Sequence, residues 1–333
     1  MRGSTAAPGS DRAKADIVIV NWNSGRWLDR CVASIRDHGS GDIGRVVVVD
    51  NGSTDGSSDI SYPDLPLDIL RTGRNLGFGR ACNLGARSGT APYLLFLNPD
   101  AALLPDTLVT AIGFLERPEN ASVGVCGAKL IEDDGGVQRH CARLPTPTVF
   151  LAAASGLAAL LPSRVPNLHD RAFDHLSSRP VDHVIGAFYL IRRDLFERLG
   201  GFDEDFFVYL EDLDLSARVH RAGHHVFYLA DAVGMHQGGG TSDQVKPQRL
   251  AYSLESRITY GFKHFSAPAA TAVALATLLV EPLPRLARAL SRRSWTEARD
   301  TIGGFALLWR RTAARMAGRH RPTSPAALDR ANP

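Results

Sequence analysis

The chain has 333 residues, of which 44% are hydrophobic and 22% charged, with 31 glycines and 19 prolines. This composition excludes collagen, coiled coil and wholesale disorder, and the length suffices for one large domain or two ordinary ones. The net charge of +3 divides into a mildly acidic body and a basic tail, which has 12 Lys and Arg against 4 Asp and Glu from residue 263 onward. Such a tail predicts an anionic partner and not a nucleic-acid groove through the domain.

Residues 1–15 contain no apolar segment, so we interpret them as a disordered leader and not as a secretion signal. The four cysteines stand in unrelated contexts with no CxxC pair, which favours a reducing, cytoplasmic compartment over a disulfide framework or a zinc site. The longest apolar runs, residues 149–161 and 269–280, are shorter than the roughly 20 residues that a spanning helix needs. We therefore expect no signal peptide and no spanning helix.

The first part of the chain alternates between strand-like and helix-like segments. The predicted strands cover residues 16–22, 45–50, 67–71, 93–97 and 122–128, and the predicted helices cover residues 27–38, 78–88 and 105–117. Buried β-branched strands that alternate with helices predict an α/β fold with a Rossmann-like, mainly parallel central sheet flanked by helices. Ligands of such sheets bind beyond the carboxyl ends of the strands.

The second part is less regular. A polar stretch with several prolines, residues 163–180, is interpreted as a surface excursion. After it, the pattern predicts strands at 184–191 and 226–229, helices at 193–199 and 212–222, and a glycine-rich loop at 236–242.

Three polar clusters follow predicted strands: Asn21-Trp22-Asn23, Asp50-Asn51-Gly52-Ser53 and Asn98-Pro99-Asp100. Three clusters that converge on one edge of a sheet predict a binding site. Asp50 could accept the N3–H of a pyrimidine, or it could cap the following helix. Asp100 could hold Mg²⁺ or Mn²⁺ beside a diphosphate, or it could belong to an ordinary turn.

Acidic residues also open the helix predicted near residue 212. Glu211, Asp212 and Asp214 lie within four residues, which is more than helix capping requires. Either Glu211 or Asp212 could act as a general base at a substrate hydroxyl. His236, in the glycine-rich loop, could be a metal ligand or a loop histidine. A Rossmann GxGxxG motif is absent from the first strand–helix junction, which weakens a nicotinamide-binding interpretation.

Taken in order, these motifs resemble the family 2 glycosyltransferases, above all their bacterial rhamnosyltransferase-like branch. The matching runs are Ile17-Val-Ile-Val-Asn-Trp-Asn23, Asp50-Asn-Gly-Ser-Thr-Asp-Gly-Ser57, Asn75-Leu-Gly-Phe-Gly79, Asn98-Pro-Asp100, Gly186-Ala-Phe188, Gly200-Gly-Phe-Asp-Glu204, Glu211-Asp-Leu-Asp-Leu215 and His236-Gln-Gly-Gly-Gly-Thr241. Each motif alone is weak, whereas the ordered set is specific. It covers roughly two thirds of the chain.

The resemblance implies a GT-A fold and an inverting transfer from a nucleoside diphosphate sugar, with dTDP-L-rhamnose as the expected donor. It implies Asp212 as the catalytic base with Glu211 in reserve, and a divalent metal, Mg²⁺ or Mn²⁺, at Asp100 and His236. Asn98 stands where the family's DxD motif has its first aspartate. The implied contacts to the nucleotide sugar are Asn21, Asn23, Asp50, Asn51, Asn75, Gly77, Phe78 and Asn98, and the implied acceptor-side residues are Gly186, Ala187 and Phe188.

The implied domain scheme is the leader, a GT-A catalytic domain over residues 16–242, and a helical, basic region over residues 243–333. The nucleotide-sugar half of the catalytic domain ends at about residue 130, and the acceptor half follows it. The expected partners are a dTDP- or UDP-linked sugar and a glycan, polyprenyl-linked or small-molecule acceptor. Two alternatives stay open: transfer of another sugar (galactofuranose, mannose or N-acetylglucosamine) or onto a secondary metabolite, and a non-catalytic sugar-nucleotide-binding module.

The basic tail carries two apolar stripes at helical spacing. The first is Leu283, Leu286 and Leu290 opposite Arg285, Arg288 and Arg292, and the second is Phe305, Leu308, Trp309 and Met316 close to Arg310, Arg311 and Arg315. Basic amphipathic helices bind anionic membrane surfaces, so the tail is predicted to hold a cytoplasmic enzyme at the inner face of the plasma membrane. The alternative is that both stripes pack on the catalytic domain.

Overall fold

The computed structural model describes residues 14–161, 165, 168, 173–238 and 246–317. In this part of the chain the strands are β1 (Ala15–Asn21), β2 (Ile43–Asp50), β3 (Leu67–Arg71), β4 (Tyr93–Leu97), β5 (Ala101–Leu103), β6 (Val123–Ile131), β7 (Arg179–Val181), β8 (Phe188–Arg192) and β9 (His225–His236). The helices of the first two thirds are α1 (Arg26–His38), α2 (Phe78–Ala86), α3 (Thr107–Glu116), α4 (Pro147–Ala154), α5 (Leu157–Leu160), α6 (Arg193–Arg198) and α7 (Glu211–Arg221). The helices after residue 245 are α8 (Lys246–His264), α9 (Ala267–Leu275), a π-helical turn (Ala276–Val280), α10 (Pro282–Ser291) and α11 (Trp295–Met316).

The strands form one sheet in the order β3-β2-β1-β4-β8-β6-β9-β5, and β7 also pairs with β9. Strands β3, β2, β1 and β4 are parallel, as are β6 and β9. Strand β8 runs antiparallel to both of its neighbours, and β5 and β7 run antiparallel to β9. The predicted fold class, a mainly parallel sheet flanked by helices with a helical C-terminal region, is confirmed, and the second half of the sheet is mixed.

Strand register brings the polar clusters together. In the parallel pair β1–β2, Asn21 lies opposite Asp50, and in the pair β1–β4, Ile19 lies opposite Leu97. The residues that follow these strands therefore emerge at one edge of the sheet, as parallel geometry requires. The prediction that the three clusters converge is borne out by this register.

Both faces of the sheet are buried, which explains the continuous apolar character of β1. Ile17 and Ile19 pack on the face covered by α1 and α3, whereas Val18 and Val20 pack on the face covered by α2 and α6. Side chains alternate between the two faces of a strand, so a strand covered on both sides has no polar positions in its centre. Fully burying each such side chain contributes about 1.5–3 kcal/mol.

The C-terminal helices are attached to the segment just before α7 and to its first turn. Ser256 of α8 donates its hydroxyl to the carbonyl of Val208 at 2.8 Å. At the end of α8, Lys263 and His264 contact the buried carboxylate of Asp214 at 2.8 Å and 2.7 Å. The helical region therefore packs directly against the part of the domain that carries the predicted base.

The two tail stripes differ in their surroundings. Phe305 and Leu308 of α11 are buried against α8, and Arg311 and Arg315 pair with Glu255 of α8. For Phe305 and Leu308 this contradicts the prediction that the second stripe faces a membrane, because α8 covers both, whereas Trp309 is 47% exposed and donates its indole N–H to the carbonyl of Leu278. The side chain of Met316 lies outside the described part of the structure. The first stripe keeps Leu283 and Leu290 exposed.

One helical stretch of the described residues, Ala267–Ser291, is long and apolar enough to cross a membrane by length and composition alone. The apolar run at 269–280 is shorter than a span, but the helix continues through the π-helical turn into α10. This corrects the expectation that no segment reaches that length. About a third of its most apolar window is buried against the rest of the protein.

Several element boundaries differ from the sequence-based prediction. Strand β8 begins only at Phe188, so residues 184–187 precede it without strand pairing, and β9 continues to His236. The short strands β5 and β7 were not predicted, and β7 lies at the end of the predicted surface excursion. Ala15, assigned to the leader, is the first residue of β1. Residues 1–13, most of 162–172, 239–245 and 318–333 lie outside the described part, and with them most of the leader and of the glycine-rich loop.

Candidate active site

The end of β1 is fastened to the turn after β2. Asn21 is fully buried, and its Nδ2 donates to Ser53 Oγ at 3.1 Å, to Ser57 Oγ at 2.9 Å and, more weakly, to Asp50 Oδ1 at 3.4 Å. Asp50 Oδ1 also accepts the backbone N–H of Ser53 at 3.2 Å. Asn21 therefore fixes the turn through Ser53 and Ser57, and Asp50 lies at the edge of the sheet where this turn begins.

Asn23 braces the same turn from the other side. Its Oδ1 accepts the backbone N–H of Thr54 at 2.7 Å, and its own N–H donates to Ser53 Oγ at 3.0 Å. The residue has φ of 50°, in the left-handed region that asparagine tolerates better than most residues. The two predicted asparagines of the first cluster thus both act on the turn that carries Asp50.

The predicted loop residues Asn51, Asn75 and Gly77 form one hydrogen-bonded unit. Asn51 Nδ2 donates to Asn75 Oδ1 at 3.0 Å and to the carbonyl of Gly77 at 3.2 Å, and Asn51 Oδ1 accepts the N–H of Leu76 at 2.8 Å. Gly77 has φ of +89°, and a side chain there would collide with the carbonyl of Phe207. The unit places the loop against the segment that leads to α7.

Backbone contacts connect the predicted nucleotide half to the predicted acceptor half. The N–H of Asn98 donates to the carbonyl of Ala187 at 3.1 Å, and the N–H of Gly186 donates to Oδ2 of Asp212 at 2.8 Å. The ring of Phe78 lies within van der Waals distance of the space beside Gly186. The Asn98–Asp100 motif, the Gly-Ala-Phe motif and the predicted base are therefore neighbours.

Phe188, a predicted acceptor-side residue, is buried. Its side chain is 2% exposed and belongs to the hydrophobic core on the α1 side of the sheet. Ala187 is 1% exposed and belongs to the same core, so the predicted acceptor-side role is contradicted for both side chains, and the segment contributes the backbone groups of Gly186 and Ala187.

Asp100 and His236 meet across β5 and β9. His236 Nε2 lies 3.3 Å from Asp100 Oδ1, and both side chains are about a tenth exposed. Gln138 donates its Nε2–H to the carbonyl of His236 at 2.7 Å, which turns its Oε1 toward His236 Nδ1 at 2.9 Å. Because Oε1 only accepts, Nδ1 carries the proton in this arrangement, and a neutral imidazole then presents the Nε2 lone pair toward Asp100.

This donor set fits a divalent cation that takes most of its ligands from a substrate. A carboxylate oxygen and an imidazole nitrogen suit Mn²⁺ and tolerate Mg²⁺, and Gln138 is the kind of outer partner that orients a histidine ligand. Among the described residues there is no group of three or more His, Cys, Asp or Glu placed to hold a metal by themselves. Asp100 and His236 would thus need diphosphate oxygens and water to complete the coordination.

Asp212 lies in the first turn of α7, and its carboxylate is partly exposed to solvent. Its Oδ1 accepts the N–H of Leu213 at 2.8 Å, its Oδ2 accepts that of Gly186, and the side chain is 18% exposed. His183 Nε2 lies 3.7 Å from Oδ2, and His183 Nδ1 is held by Ser216 Oγ at 3.0 Å. The carboxylate is thereby oriented by backbone groups while part of it stays open to solvent.

Glu211 has the opposite environment. It is 4% exposed, and its Oε2 has no hydrogen-bond partner among the described residues. Burial, followed by the neighbouring charges of Asp212 and Asp214, raises the pKa of Glu211 well above its ordinary value. A carboxyl group enclosed in this way is poorly placed to take a proton from a substrate hydroxyl.

The chain reaches α7 through an unusual backbone. Tyr209 and Leu210 have φ of 72° and 64°, so two consecutive non-glycine residues adopt the left-handed conformation. Such residues cost about 1–3 kcal/mol each and persist only where their surroundings hold them. Phe207 and Val208, just before them, are held by backbone and side-chain hydrogen bonds from α2 and α8.

The third acidic residue of the motif has a structural position. Asp214 is fully buried and accepts hydrogen bonds from Arg218, Lys263 and His264. Burial alone would raise the pKa of Asp214, but the His264 hydrogen bond and the charges of Arg218 and Lys263 lower it to about 2. Asp214 therefore joins α7 to α8, which explains why three carboxylates occur together.

Sequence patterns did not indicate His183, Ser216 or Gln138. His183 and Gln138 lie in irregular segments. The contacts of His183 with Asp212 and Ser216, and of Gln138 with His236, span 29 residues or more along the chain, so no local periodicity marks them. Ser216 stands on α7, one turn after Asp212, and only helical spacing from the predicted base would have suggested it.

Comparisons with known proteins identify the family of the chain. The model of the glycosyl transferase family 2 matches residues 16–200, and that of glycosyl transferase family group 2 matches residues 150–310. The N-acetylglucosaminyl-diphospho-decaprenol L-rhamnosyltransferase of Mycobacterium tuberculosis is 31% identical over 262 residues, which cover 74% of this chain and 82% of the relative. The rhamnosyltransferase WbbL of Escherichia coli is 26% identical over 223 residues, covering 65% and 81%.

Solved structures agree on the fold. The mannosyltransferase of Pyrobaculum calidifontis, solved with GDP-Man and Mn²⁺, has a TM-score of 0.52 at 20% identity, covering 92% of this chain and 84% of its own. GalNAc-T7, solved with UDP, GalNAc and Mn²⁺, has a TM-score of 0.51 at 14% identity, covering 77% and 51%. The fold is GT-A, and the chain, with more than half of its residues matched by the family model, belongs to glycosyl transferase family 2.

Proposed function

We propose that this glycosyltransferase moves L-rhamnose from dTDP-L-rhamnose to an acceptor hydroxyl, with inversion at the anomeric carbon, in the assembly of a cell-surface glycan. The observation that carries the proposal is the position of Asp212: a partly exposed carboxylate, fixed by the Gly186 N–H, beside the strand end that bears Asn98 and Asp100. The sugar and acceptor are suggested by the Mycobacterium tuberculosis and Escherichia coli relatives, both of which are named rhamnosyltransferases.

The proposed reaction is a single displacement. Asp212 accepts the proton of the acceptor hydroxyl while the oxygen attacks the anomeric carbon from the face opposite the diphosphate. The bond between that carbon and the diphosphate oxygen breaks, and the nucleoside diphosphate leaves with the electron pair. Two backbone N–H groups hold the carboxylate in place, so little reorganisation is required when the proton moves.

Asp100 and His236 are proposed to hold a divalent ion at the diphosphate. When bound, Mg²⁺ or Mn²⁺ supplies charge stabilisation for the leaving group. The carboxylate and imidazole provide two ligand atoms on adjacent strands, and Gln138 fixes the imidazole ring. Asn98, in place of the first aspartate of the family motif, adds no charge, so we assign the charge on the protein side to Asp100.

The nucleotide is proposed to bind at the edge formed by Asp50, Asn51 and the loop at Gly77. Asp50 would accept the N3–H of a pyrimidine, which both thymine and uracil provide. The glycine at position 77 lets the loop backbone approach a ligand closely. These contacts do not distinguish dTDP from UDP, and the acceptor side formed by the backbone groups of Gly186 and Ala187 does not distinguish a polyprenyl-linked from a soluble acceptor.

A panel of donors tests the proposal. Nucleotide release would be measured with the dTDP- and UDP-linked sugars, using N-acetylglucosamine linked through diphosphate to a short polyprenol as acceptor. We expect dTDP-L-rhamnose to be turned over at least tenfold faster than UDP-linked galactofuranose or N-acetylglucosamine. Preferred turnover of another sugar would overturn the rhamnose assignment, and an NMR analysis of the product would test inversion.

The alternative of a non-catalytic nucleotide-sugar-binding module predicts a different result. Such a protein would be stabilised by dTDP or UDP in a thermal-shift measurement, but it would release no nucleotide with any donor and acceptor. The partly exposed carboxylate of Asp212 favours catalysis, because a binding module needs no base there.

A peripheral position at the inner face of the plasma membrane is also proposed. It is supported by the basic C-terminal region, with 12 Lys and Arg against 4 Asp and Glu from residue 263 onward. An acceptor linked to a polyprenol would itself be held in the bilayer.

A further inference from the structure

Exposed apolar side chains from two separate parts of the chain form one surface. We call it the α5–α10 surface, and its members are Leu157, Leu160 and Leu161 at α5, Leu279 and Val280 of the π-helical turn, Leu283 and Leu290 of α10, and Trp295 at the start of α11. Leu160, Leu283 and Trp295 are 76%, 67% and 78% exposed. Monomeric soluble proteins rarely expose so many large apolar side chains together without a partner.

The two parts are in direct contact. A side-chain carbon at Gly156, the residue before α5, would lie 2.8 Å from the ring of Pro284 in α10. Leu157 and Leu283 are the sequence neighbours of these two contacting residues, so α5 and α10 contribute to one continuous surface. Nothing in the sequence pattern linked the two segments, because more than 120 residues separate them.

The helix that carries most of this surface lies along the protein. Ala270, Val273, Thr277 and Glu281 recur at helical spacing and are buried on its inner side. The buried carboxylate of Glu281 is paired with Arg257 of α8 and with Arg285. Because the ion pair fixes one side of this helix to α8, only the opposite side can face lipid. This is the geometry of an interfacial helix and not of a spanning one.

The charges around the surface indicate its partner. Between residues 275 and 295 there are four arginines and one acidic residue, the buried Glu281. Arg288 and Arg293 are exposed, and Arg292 is half exposed beside Glu297. A second copy of this chain docking here would bring these arginines against one another, whereas an anionic bilayer would attract them. Tryptophan at the margin of such a surface is typical of the membrane interface.

We propose that the α5–α10 surface inserts into the headgroup region of an anionic lipid bilayer. This deepens the proposed peripheral membrane position, on which it depends, and it names the residues that enter the lipid. Leu160 and Leu283 are the most exposed aliphatic side chains of the surface, one from each part, and the arginines of α10 lie at the level of the lipid phosphates in this proposal.

Vesicle binding of the full chain tests the proposal. We expect sedimentation with vesicles of phosphatidylcholine and phosphatidylglycerol, little sedimentation with phosphatidylcholine alone, and weaker binding at high salt. Leu160→Asp and Leu283→Asp should each lower vesicle affinity about tenfold or more, because each places a charge in an apolar phase. Val109→Asp, at an exposed aliphatic residue on α3, is the matched control and should leave binding unchanged.

Tryptophan fluorescence of the unsubstituted chain tests the same proposal without any substitution that could disturb folding. Tryptophan emission should shift to the blue on anionic vesicles and should be quenched by lipids brominated near the top of their acyl chains, and Trp295→Phe should remove most of this signal. Unchanged binding by the Leu160→Asp, Leu283→Asp double variant would overturn the proposal. So would a dimer that these substitutions dissociate, or a chain that alkaline carbonate fails to extract from membranes.

Failure of this inference can be told apart from failure of the proposed transfer reaction. Nucleotide release with a short, water-soluble acceptor requires no vesicle, so the double variant should keep its turnover there while losing vesicle binding. A variant with normal vesicle binding but no turnover on any donor would count against the transfer reaction alone.

Discussion

The backbone N–H of Gly186 donates to Oδ2 of Asp212 at 2.8 Å, and this bond joins the segment before β8 to the first turn of α7. The next residue, Ala187, accepts a hydrogen bond from Asn98, two residues from Asp100. The position of the carboxylate is therefore set relative to the end of β4 through two backbone contacts. Rigid positioning of this kind is what a general base requires.

Asp212→Asn is expected to lower turnover by about 10²–10⁴-fold while nucleotide affinity stays nearly unchanged. The amide cannot accept the hydroxyl proton, but its oxygen can still accept the N–H of Gly186 and keep the local structure. Single-turnover rates and nucleotide titration would check both parts. Asp205→Asn, at an exposed aspartate in the segment before α7, is the control and should leave turnover intact. Near-normal turnover of Asp212→Asn, together with an inactive Glu211→Gln variant, would move the base to Glu211.

Glu211→Gln is expected to keep most of the turnover and to stabilise the protein increasingly as pH rises. The pKa of Glu211 is raised in the folded state by burial first and then by Asp212 and Asp214. A raised carboxyl pKa gives stability that is fully present below the unfolded value of about 4.3 and is lost as pH rises through the folded value. The glutamine does not titrate. In denaturant unfolding, the free energy of unfolding of the variant should therefore rise relative to that of the parent between pH 5 and pH 8. Equal pH dependence in the two proteins would show that Glu211 is ionised in the fold. Glu119→Gln, at an exposed glutamate, controls for the loss of a charge.

How well the sequence predicted the fold depends on how local the signal is. Strands β1, β2 and β4 were placed within two residues at each end because their runs of large apolar residues are covered on both faces. Strand β5 has only three residues, and its pairing with β9 joins segments more than 130 residues apart, so no local pattern marked it. The tail stripes show the same limit. The sequence of α11 is amphipathic whether a membrane or α8 covers the stripe that contains Phe305.

The candidate site was predicted as a set of residue types but not as an arrangement. Order along the chain indicated Asp50, Asp100 and Asp212, and the parallel register explains why the first two share an edge. Glu211, Asp212 and Asp214 differ in burial and in their hydrogen-bond partners, which for Asp214 lie partly on α8. The sequence does not show these differences. For that reason His183 and Gln138 were missed as well.

Gln138→Leu is expected to weaken metal-dependent nucleotide binding about 10- to 100-fold and to leave metal-free binding unchanged. The substitution removes the acceptor that holds His236 Nδ1–H and frees the imidazole to rotate. Asp100→Ala should remove the Mn²⁺ dependence together with activity. Calorimetric titration of dTDP or UDP with and without Mn²⁺ would measure both variants. Full activity of the parent enzyme in excess chelator would contradict the metal assignment.

Gly77→Ala is expected to cost about 1–3 kcal/mol of stability and to weaken nucleotide binding. The residue has φ of +89°, and an added Cβ would press on the carbonyl of Phe207, which accepts the N–H of Phe78 at 2.7 Å. Gly41→Ala is the matched control, because Gly41 has open space around it and no positive φ. Comparable stability and nucleotide affinity in the two variants would show that the loop adapts without strain.

Asp214→Asn is expected to destabilise the protein by about 2 kcal/mol at neutral pH, with the difference shrinking as pH falls below about 4. Although burial opposes ionisation, the His264 hydrogen bond and the charges of Arg218 and Lys263 lower the folded pKa of Asp214 to about 2. A carboxyl group with a lowered pKa contributes stability at pH values above its unfolded pKa, and this stability is lost as pH falls through its folded pKa. Acid should therefore remove the difference in unfolding free energy between the parent and the variant. Urea unfolding from pH 7 to pH 3 measures the trend, with Asp205→Asn as the exposed control. Because Asp214 joins α7 to α8, turnover should fall together with stability at pH 7. A pH-independent difference would mean that Asp214 acts through packing and not through its charge.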